Sequence, residues 1–242
     1  MTSDPSPSTP RHVLVTGGTG YLGRALIPAL SARGHRVRAL VRPGSENKLP
    51  PGVEIVAGSP LDAASVAGAL VGADTMVHLV GVAKPSPAKA RQFRAIDLTS
   101  VQASVTAAER AHPRPHFVYL SVAHPAPVMK DYVAVRQEGE ALLRARGLDA
   151  TCLRPWYVLG PGHRWPYALV PVFAVLRLIP RTREGAERLG FVALPQMVRA
   201  LVQAVEHPAA GMRVVEVPEI RSGRPGPESR QMPEPAEWSH RS

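Results

Sequence analysis

Between residues 12 and 80 the chain alternates two patterns. Short, nearly continuous apolar runs recur at VLVT (13–16), RVRALV (36–41), VEIVA (53–57) and TMVHLV (75–80), and the segments between them space apolar residues three and four apart. Runs of this length predict strands, and the wider spacing predicts helices. The alternation continues through HFVYLS (116–121), ATCLR (150–154) and, later, MRVVEV (212–217). Helices are expected at 21–33, 62–71, 88–111 and 128–146, with Gly34 and Gly147 at C-terminal stop positions. Strand and helix in strict alternation predict an α/β fold with a doubly wound parallel sheet, because parallel neighbours need a crossover of helix length.

After Pro155 the alternation breaks down. Residues 155–210 read as a small irregular substrate subregion with helical patterns at 165–178 and 194–206. One domain is expected over 11–218, preceded by a polar, proline-rich leader (1–10) and followed by a disordered tail (219–242) rich in Pro, Gly, Ser, Arg and Glu.

Composition narrows the class. A chain of 242 residues that is 45% hydrophobic suffices for one domain with a well-buried core. Its formal charge of +10 would ordinarily suggest a polyanionic partner. The arginines are scattered, however, and no basic run is interleaved with aromatics, so no nucleic acid is expected. The single cysteine, Cys152, leaves no internal disulfide and no cysteine metal cluster, and a cytoplasmic setting fits it. The histidines lack ligand spacing, so no metal is expected. No run is long enough to span a bilayer; YALVPVFAVLRLIP (167–180) is interrupted by Pro171 and Arg177 and is read as a lid or as a peripheral membrane or partner contact.

The chemistry starts at HVLVTGGTGYLG. A strand that feeds a helix through this turn gathers backbone amides and the positive end of a helix dipole at one point, which attracts a diphosphate. Gly17 suits the tight turn, Gly20 leaves room for the pyrophosphate, and Gly23 lets the helix pack on the strand, with Thr19, Tyr21 and Leu22 completing the cradle. The second strand ends in ALVRPGSE, so Arg42 stands where an acid would accept from the ribose 2′-hydroxyl of NAD. A guanidinium there suits a 2′-phosphate, which favours NADP(H) over NAD(H). Arg38, inside the strand, is not expected to reach it.

These residues, together with HLVG, YLS and GLDATCLRPWYVLGPG, resemble the short-chain dehydrogenase/reductase superfamily, in its atypical, NmrA-like and epimerase-like branch, over about residues 11–217. The resemblance implies a Rossmann fold, with Leu79, Val80 and Gly81 near the adenosine ribose and Pro155 and Trp156 near the nicotinamide. At the adenine, Ser59 occupies the place of the family's Asp, with Leu61 beyond it, and Asp62 is read as a helix cap. Reductases of this family use a Ser, a Tyr and a Lys four residues after the Tyr. The register gives Ser121, Tyr132 and Arg136, so an arginine replaces the lysine. Arg136 either stabilises a tyrosinate or pairs with Glu140 on the helix surface. Lys130 points to another face, and Cys152 reads as a buried filler.

PWYVLGPGHRWPYALVPVF gathers Trp156, Tyr157, Trp165, Tyr167 and Phe173, either as an apolar pocket wall with His163 and Arg164 at its rim or as core. Three functions compete. The first is an NADP(H)-dependent oxidoreductase acting on an apolar carbonyl or isoprenoid-like small molecule. The second is a non-enzymatic dinucleotide-binding protein, either an NmrA-like regulator or an accessory subunit like that of respiratory complex I, which would meet a protein partner. The third is an NAD-dependent sugar-nucleotide epimerase; Arg42 and the missing lysine argue against it.

Overall fold

The computed structural model describes residues 9–83, 85–126, 128–161, 185 and 188–224. Seven strands form one sheet: β1 (His12–Thr16), β2 (Arg36–Val41), β3 (Glu54–Ala57), β4 (Thr75–His78), β5 (His116–Leu120), β6 (Ala150–Arg154) and, last in the chain, β9 (Met212–Glu216). Their order is β3-β2-β1-β4-β5-β6-β9 and every pairing is parallel, for example Val13↔Val37, Thr16↔His78 and Leu153↔Val215. The order reverses between β1 and β4, which is where a doubly wound sheet opens a crevice at its C-terminal edge.

Helices cover both faces. Those nearest the crevice are α1 (Tyr21–Ser31), α2 (Ala63–Leu70), α3 (Thr99–Arg110) and α4 (Lys130–Ala145), followed by α5 (Leu194–Glu206) and α6 (Val217–Ser222). Successive strand residues alternate between the two layers even where all are buried. Val13 and Val15 face Leu26, Ile27 and Leu30 of α1 and Met197 and Leu201 of α5. Leu14 faces the other way, into a layer with Val66 and Leu70 of α2, Val101 and Val105 of α3, Leu143 of α4, and Cys152. Gly34 and Gly147 close α1 and α4 with positive φ (82° and 57°).

Four expectations need correcting. The fourth strand stops at His78, two residues early, and Leu79 and Val80 lie instead against the Gly17 turn. The helix expected at 88–111 is built from a 3-10 turn (Pro87–Lys89), one α-helical turn (Ala90–Gln92), a π-helical segment (Phe93–Leu98) and α3. The region after Pro155 contains a second, two-stranded parallel sheet of β7 (Tyr157–Leu159) and β8 (Phe191–Ala193). The tail does not begin at Glu219: Val217 and Ile220 are fully buried, and their burial holds α6 as a helix, stopped by Gly223 at φ +66°. The leader before residue 9, the helix expected at 165–178 and the tail beyond 224 lie outside the described residues.

Beneath the crevice, His78 is fully buried between β1 and α3. Its Nδ1 is 3.0 Å from Thr16 Oγ1 and 3.1 Å from Ser104 Oγ, and its Nε2 is 3.3 Å from Ser100 Oγ. Ser100 gives its own proton to the Asp97 carbonyl, so the network assigns the hydrogen to Nε2 and leaves Nδ1 as acceptor. Burial, reinforced by the Arg136 charge, pushes the imidazole down to about 3. Below the ordinary value of 6.5 the unfolded chain therefore binds a proton that the folded chain refuses. Stability is complete above that value and falls as the pH drops through the window, by about 1.4 kcal/mol per pH unit from this group. Urea unfolding of His78→Gln at stepped pH should show that much of the slope removed; an unchanged slope would show that His78 is not the group responsible.

Candidate active site

The glycine turn is shaped by contact. Gly17 has φ +77°, and a Cβ there would lie 2.8 Å from the Leu79 carbonyl carbon and 2.9 Å from Val80 N. A Cβ at Gly23 would lie 2.5 Å from the Cα and the carbonyl oxygen of Gly18, so α1 approaches the turn as closely as backbone allows. Gly20 is exposed, its N–H donates to Gly17 O at 3.0 Å, and that oxygen is the one atom within 4 Å of its Cβ direction. The α1 N-terminus has no side-chain cap and no acidic residue in its first turn. An uncapped helix start facing a crevice edge, with Gly20 bare on its outer side, fits a diphosphate. Thr19, Tyr21 and Leu22 are half-buried around it, and the Tyr21 hydroxyl reaches across to Gly160 beyond β7.

The loop after β2 folds back on this turn, with Leu49 Cδ2 3.4 Å from the Cβ direction of Gly18. Arg42 stands exposed at its start, and no described residue pairs with its guanidinium. Glu46, the nearby acid, is occupied by Gly44 N–H at 3.1 Å. Arg38 is committed elsewhere, to Glu54 at 2.7 Å and to the carbonyls of Ala69 and Val71. Ser59 Oγ accepts from Leu61 N–H at 3.2 Å, and the Leu61 side chain is exposed. Asp62 caps α2, accepting from Ser65 and Ala64 N–H, and those bonds hold its carboxyl below the ordinary range. At the other end of the crevice Pro155 is buried, its carbonyl accepting from Ala123 N–H at 3.0 Å, and Trp156 packs half-buried on the core.

The surface pairing of Arg136 with Glu140 does not occur. Both side chains lie on the face of α4 that packs against the sheet, at 2% and 3% exposure, and each finds a partner on a different element. Arg136 Nη2 meets Asp97 Oδ1 at 2.6 Å and donates to Val80 O at 3.3 Å, while Nη1 donates to Leu120 O at 2.9 Å. Its Cζ lies 5.2 Å from the Tyr132 ring centre and 6.0 Å from that of Tyr119. Burial works against the guanidinium charge, but the two tyrosines and Asp97 outweigh it, and Arg136 remains cationic. Burial pushes the Asp97 carboxyl up, with Arg136 opposing.

Glu140 instead takes a bidentate pair from Arg154 (2.9 and 2.5 Å) and the Ser121 hydroxyl proton at 2.5 Å. Arg154 also reaches Glu216 at 2.8 Å, and His124 Nε2 stands 3.7 Å from Glu140. Ser121 is thus buried with its proton already given away, and does not stand open to a substrate. Tyr132 is half-buried against Phe93, ring centres 5.2 Å apart, and its hydroxyl has no hydrogen-bond partner among the described residues. Lys130 is exposed, and burial raises the Cys152 thiol. Asp97 escaped the sequence reading, although it falls at the head of the buried stripe that continues through Val101, Val105 and Ala108. An acid on such a stripe requires a partner. Trp165, Tyr167, Phe173, His163, Arg164 and the lid or membrane segment 167–180 lie outside the described residues. Among the described residues no cluster could hold a metal, and no helix is long and apolar enough to cross a membrane.

Residues 17–166, from the glycine turn to beyond β7, match the NAD(P)H-binding family. The chain belongs to that family. This NAD(P)H-binding chain is similar to the ceramide reductase of Caulobacter vibrioides, 28% identical over 86% of this chain and 65% of that protein. It is 32% identical to the 2-alkyl-3-oxoalkanoate reductase of Stenotrophomonas maltophilia, over 73% of this chain and 57% of the relative. With the 3-diazoavenalumate denitrifying reductase of a Streptomyces species it shares 30% identity over 83% and 74%. It therefore spans somewhat under two-thirds of the first two relatives. In fold it is similar to the Bordetella bronchiseptica enzyme WbmH in complex with NAD+, with a TM-score of 0.65, 24% identity, and 86% and 76% of the two chains covered. The UDP-N-acetylglucosamine 4-epimerase of Bacillus cereus shares the fold at a TM-score of 0.62 and 18% identity, over 85% and 79%.

The contact geometry separates two glycines of this NAD(P)H-binding chain. Gly17→Ala should weaken NADPH and NADH alike by about tenfold or more and destabilise the chain, since its Cβ meets backbone and its φ is positive. Gly68→Ala, mid-helix in α2 with nothing within 4 Å, should leave binding unchanged and stabilise the fold by about 0.5–1 kcal/mol. Fluorescence titration and thermal unfolding read both; equal binding by the two variants would contradict the cradle.

Proposed function

We propose that this chain is an NADP(H)-dependent reductase of an apolar carbonyl or isoprenoid-like small molecule. The observation that carries the cofactor choice is Arg42, exposed and unpaired among the described residues at the end of β2, in a loop packed on the glycine cradle. A guanidinium in that position suits a 2′-phosphate and offers no acceptor for the proton of a ribose 2′-hydroxyl. Exposed Leu61 offers an apolar surface on the adenine side. The substrate class is supported by relatives named for ceramide and for a 2-alkyl-3-oxoalkanoate.

The bound dinucleotide supplies the hydride. Among the residues considered for the proton, Tyr132 is the one whose hydroxyl remains uncommitted, and in this reading it holds the proton that the product oxygen takes. Arg136 lies beside its ring as a fixed charge and does not reach out to the nucleotide, being buried. A second reading, a dinucleotide-binding protein without turnover, is favoured by one observation: Ser121 and Arg136 are both consumed by internal partners.

The deciding experiment follows NADPH consumption with a 2-alkyl-3-oxoalkanoate, a ceramide-type ketone and a sugar nucleotide. Turnover of the apolar ketones, lost about a hundredfold in Tyr132→Phe with NADPH affinity intact, supports the reductase reading. Intact binding without turnover of any of them favours the second. Arg42→Asp should weaken NADPH by about 10–100-fold and spare NADH; equal affinities before and after would remove the 2′-phosphate assignment.

A further inference from the structure

Asp97 belongs to none of the motifs that carry the cofactor reading, yet its carboxylate is fully buried at the crevice. Its two oxygens have separate partners. Oδ1 accepts from Arg136 Nη2 at 2.6 Å, and Oδ2 accepts from Val82 N–H at 3.0 Å. Arg136 in turn donates to Val80 O. One ion pair therefore holds the carbonyl of the residue before Gly81 and the amide of the residue after it. Gly81 itself sits on the pair: a Cβ there would run into Arg136 Nη2 and lie 3.1 Å from Asp97 Oδ1. The same segment meets the glycine turn one residue earlier, where Leu79 N–H donates to Thr16 O at 3.0 Å and the Gly17 Cβ direction points into the Leu79–Val80 peptide. Residues 79–82 are gripped between the cradle and the pair.

We infer that the Asp97–Arg136 pair is a positioning element of the dinucleotide site, fixing the course of Val80–Val82 against the Gly17 turn and so setting nucleotide affinity without touching the nucleotide. The inference rests on NAD(P)H binding and not on the reductase reading. The guanidinium is balanced by Asp97 and only 3% exposed, so its effect on a bound nucleotide is mechanical and not coulombic. A mechanical effect makes no distinction between a nucleotide with a 2′-phosphate and one without.

The test is fluorescence titration of the full chain with NADPH and with NADH, beside thermal unfolding. The double variant Asp97→Leu/Arg136→Met removes both charges and substitutes apolar side chains of similar reach, a change that commonly preserves stability. It is expected to unfold near the wild-type temperature while binding both nucleotides about tenfold more weakly, their affinity ratio unchanged. Recovery of affinity together with stability would reduce the pair to a structural one and overturn the inference. A selective loss of NADPH would overturn it too, by showing that the charge itself is felt. Should the double variant not fold, Arg136→Lys decides: an ammonium keeps the charge on Asp97 but lacks the fork that holds both Val80 and Leu120. It should weaken both nucleotides in common, and wild-type affinity in it would overturn the inference. A wild-type chain that bound neither nucleotide would overturn the inference and the cofactor reading together, whereas binding without turnover faults only the reductase.

Discussion

A guanidinium does not give up its proton inside a protein, so everything packed around Arg136 is obliged to answer a full positive charge. Desolvating that charge costs several kcal/mol, and removing a single partner would leave the cost uncompensated. The fold supplies a carboxylate from the π-helical segment, carbonyls from the segment after β4 and from the end of β5, and two aromatic faces. Each partner fixes the place of a different element. The π segment puts Phe93 on Tyr132 and Asp97 on Arg136, so two residues four apart on one helix meet two residues four apart on another. A local departure from α geometry at this contact is of the sort that marks functional regions.

The same helix explains the second network. Arg136 and Glu140 are one turn apart with opposite charges, and on an exposed helix they would gain a few tenths of a kcal/mol by pairing. Inside the protein that gain is outweighed by what lies across the interface. Had they paired with each other, the fully buried Asp97 would be left without its cation and Arg154 with Glu216 alone. Pairing outward gives Asp97 a partner as well, and it ties α4 to the π segment on one side and to the ends of β6 and β9, through Arg154 and Glu216, on the other.

The legible part of the molecule was what local chemistry decides. The seven sheet strands follow from short apolar runs alternating with helical segments, although the edge strand β3 is largely exposed, the helix stops follow from Gly34 and Gly147, and the α2 cap from Asp62. What the sequence concealed depends on contacts distant along the chain. Composition argued for disorder after Glu219, but Val217 and Ile220 have a groove beside α5 to fill. Tyr157 and Phe191, which face each other edge-on with ring centres 6.4 Å apart, lie more than thirty positions apart in the chain, and neither short strand exists without the other. Asp97 and Arg136 are 39 residues apart, and spacing along one helix drew attention to Glu140 in its place.

These placements distribute charge unevenly along the crevice. At its outer end, near β2, Arg42 is exposed and has no described partner to cancel its field. At the inner end Arg136 is neutralised by Asp97, and Arg154 by two carboxylates. The Arg42 charge is thus left to solvent, whereas the Arg136 and Arg154 charges are answered within the protein. Pro155 and the half-buried Trp156 flank that inner end. A highly charged second ligand would find no unbalanced cation there among the described residues, whereas an apolar one would lose little by leaving water.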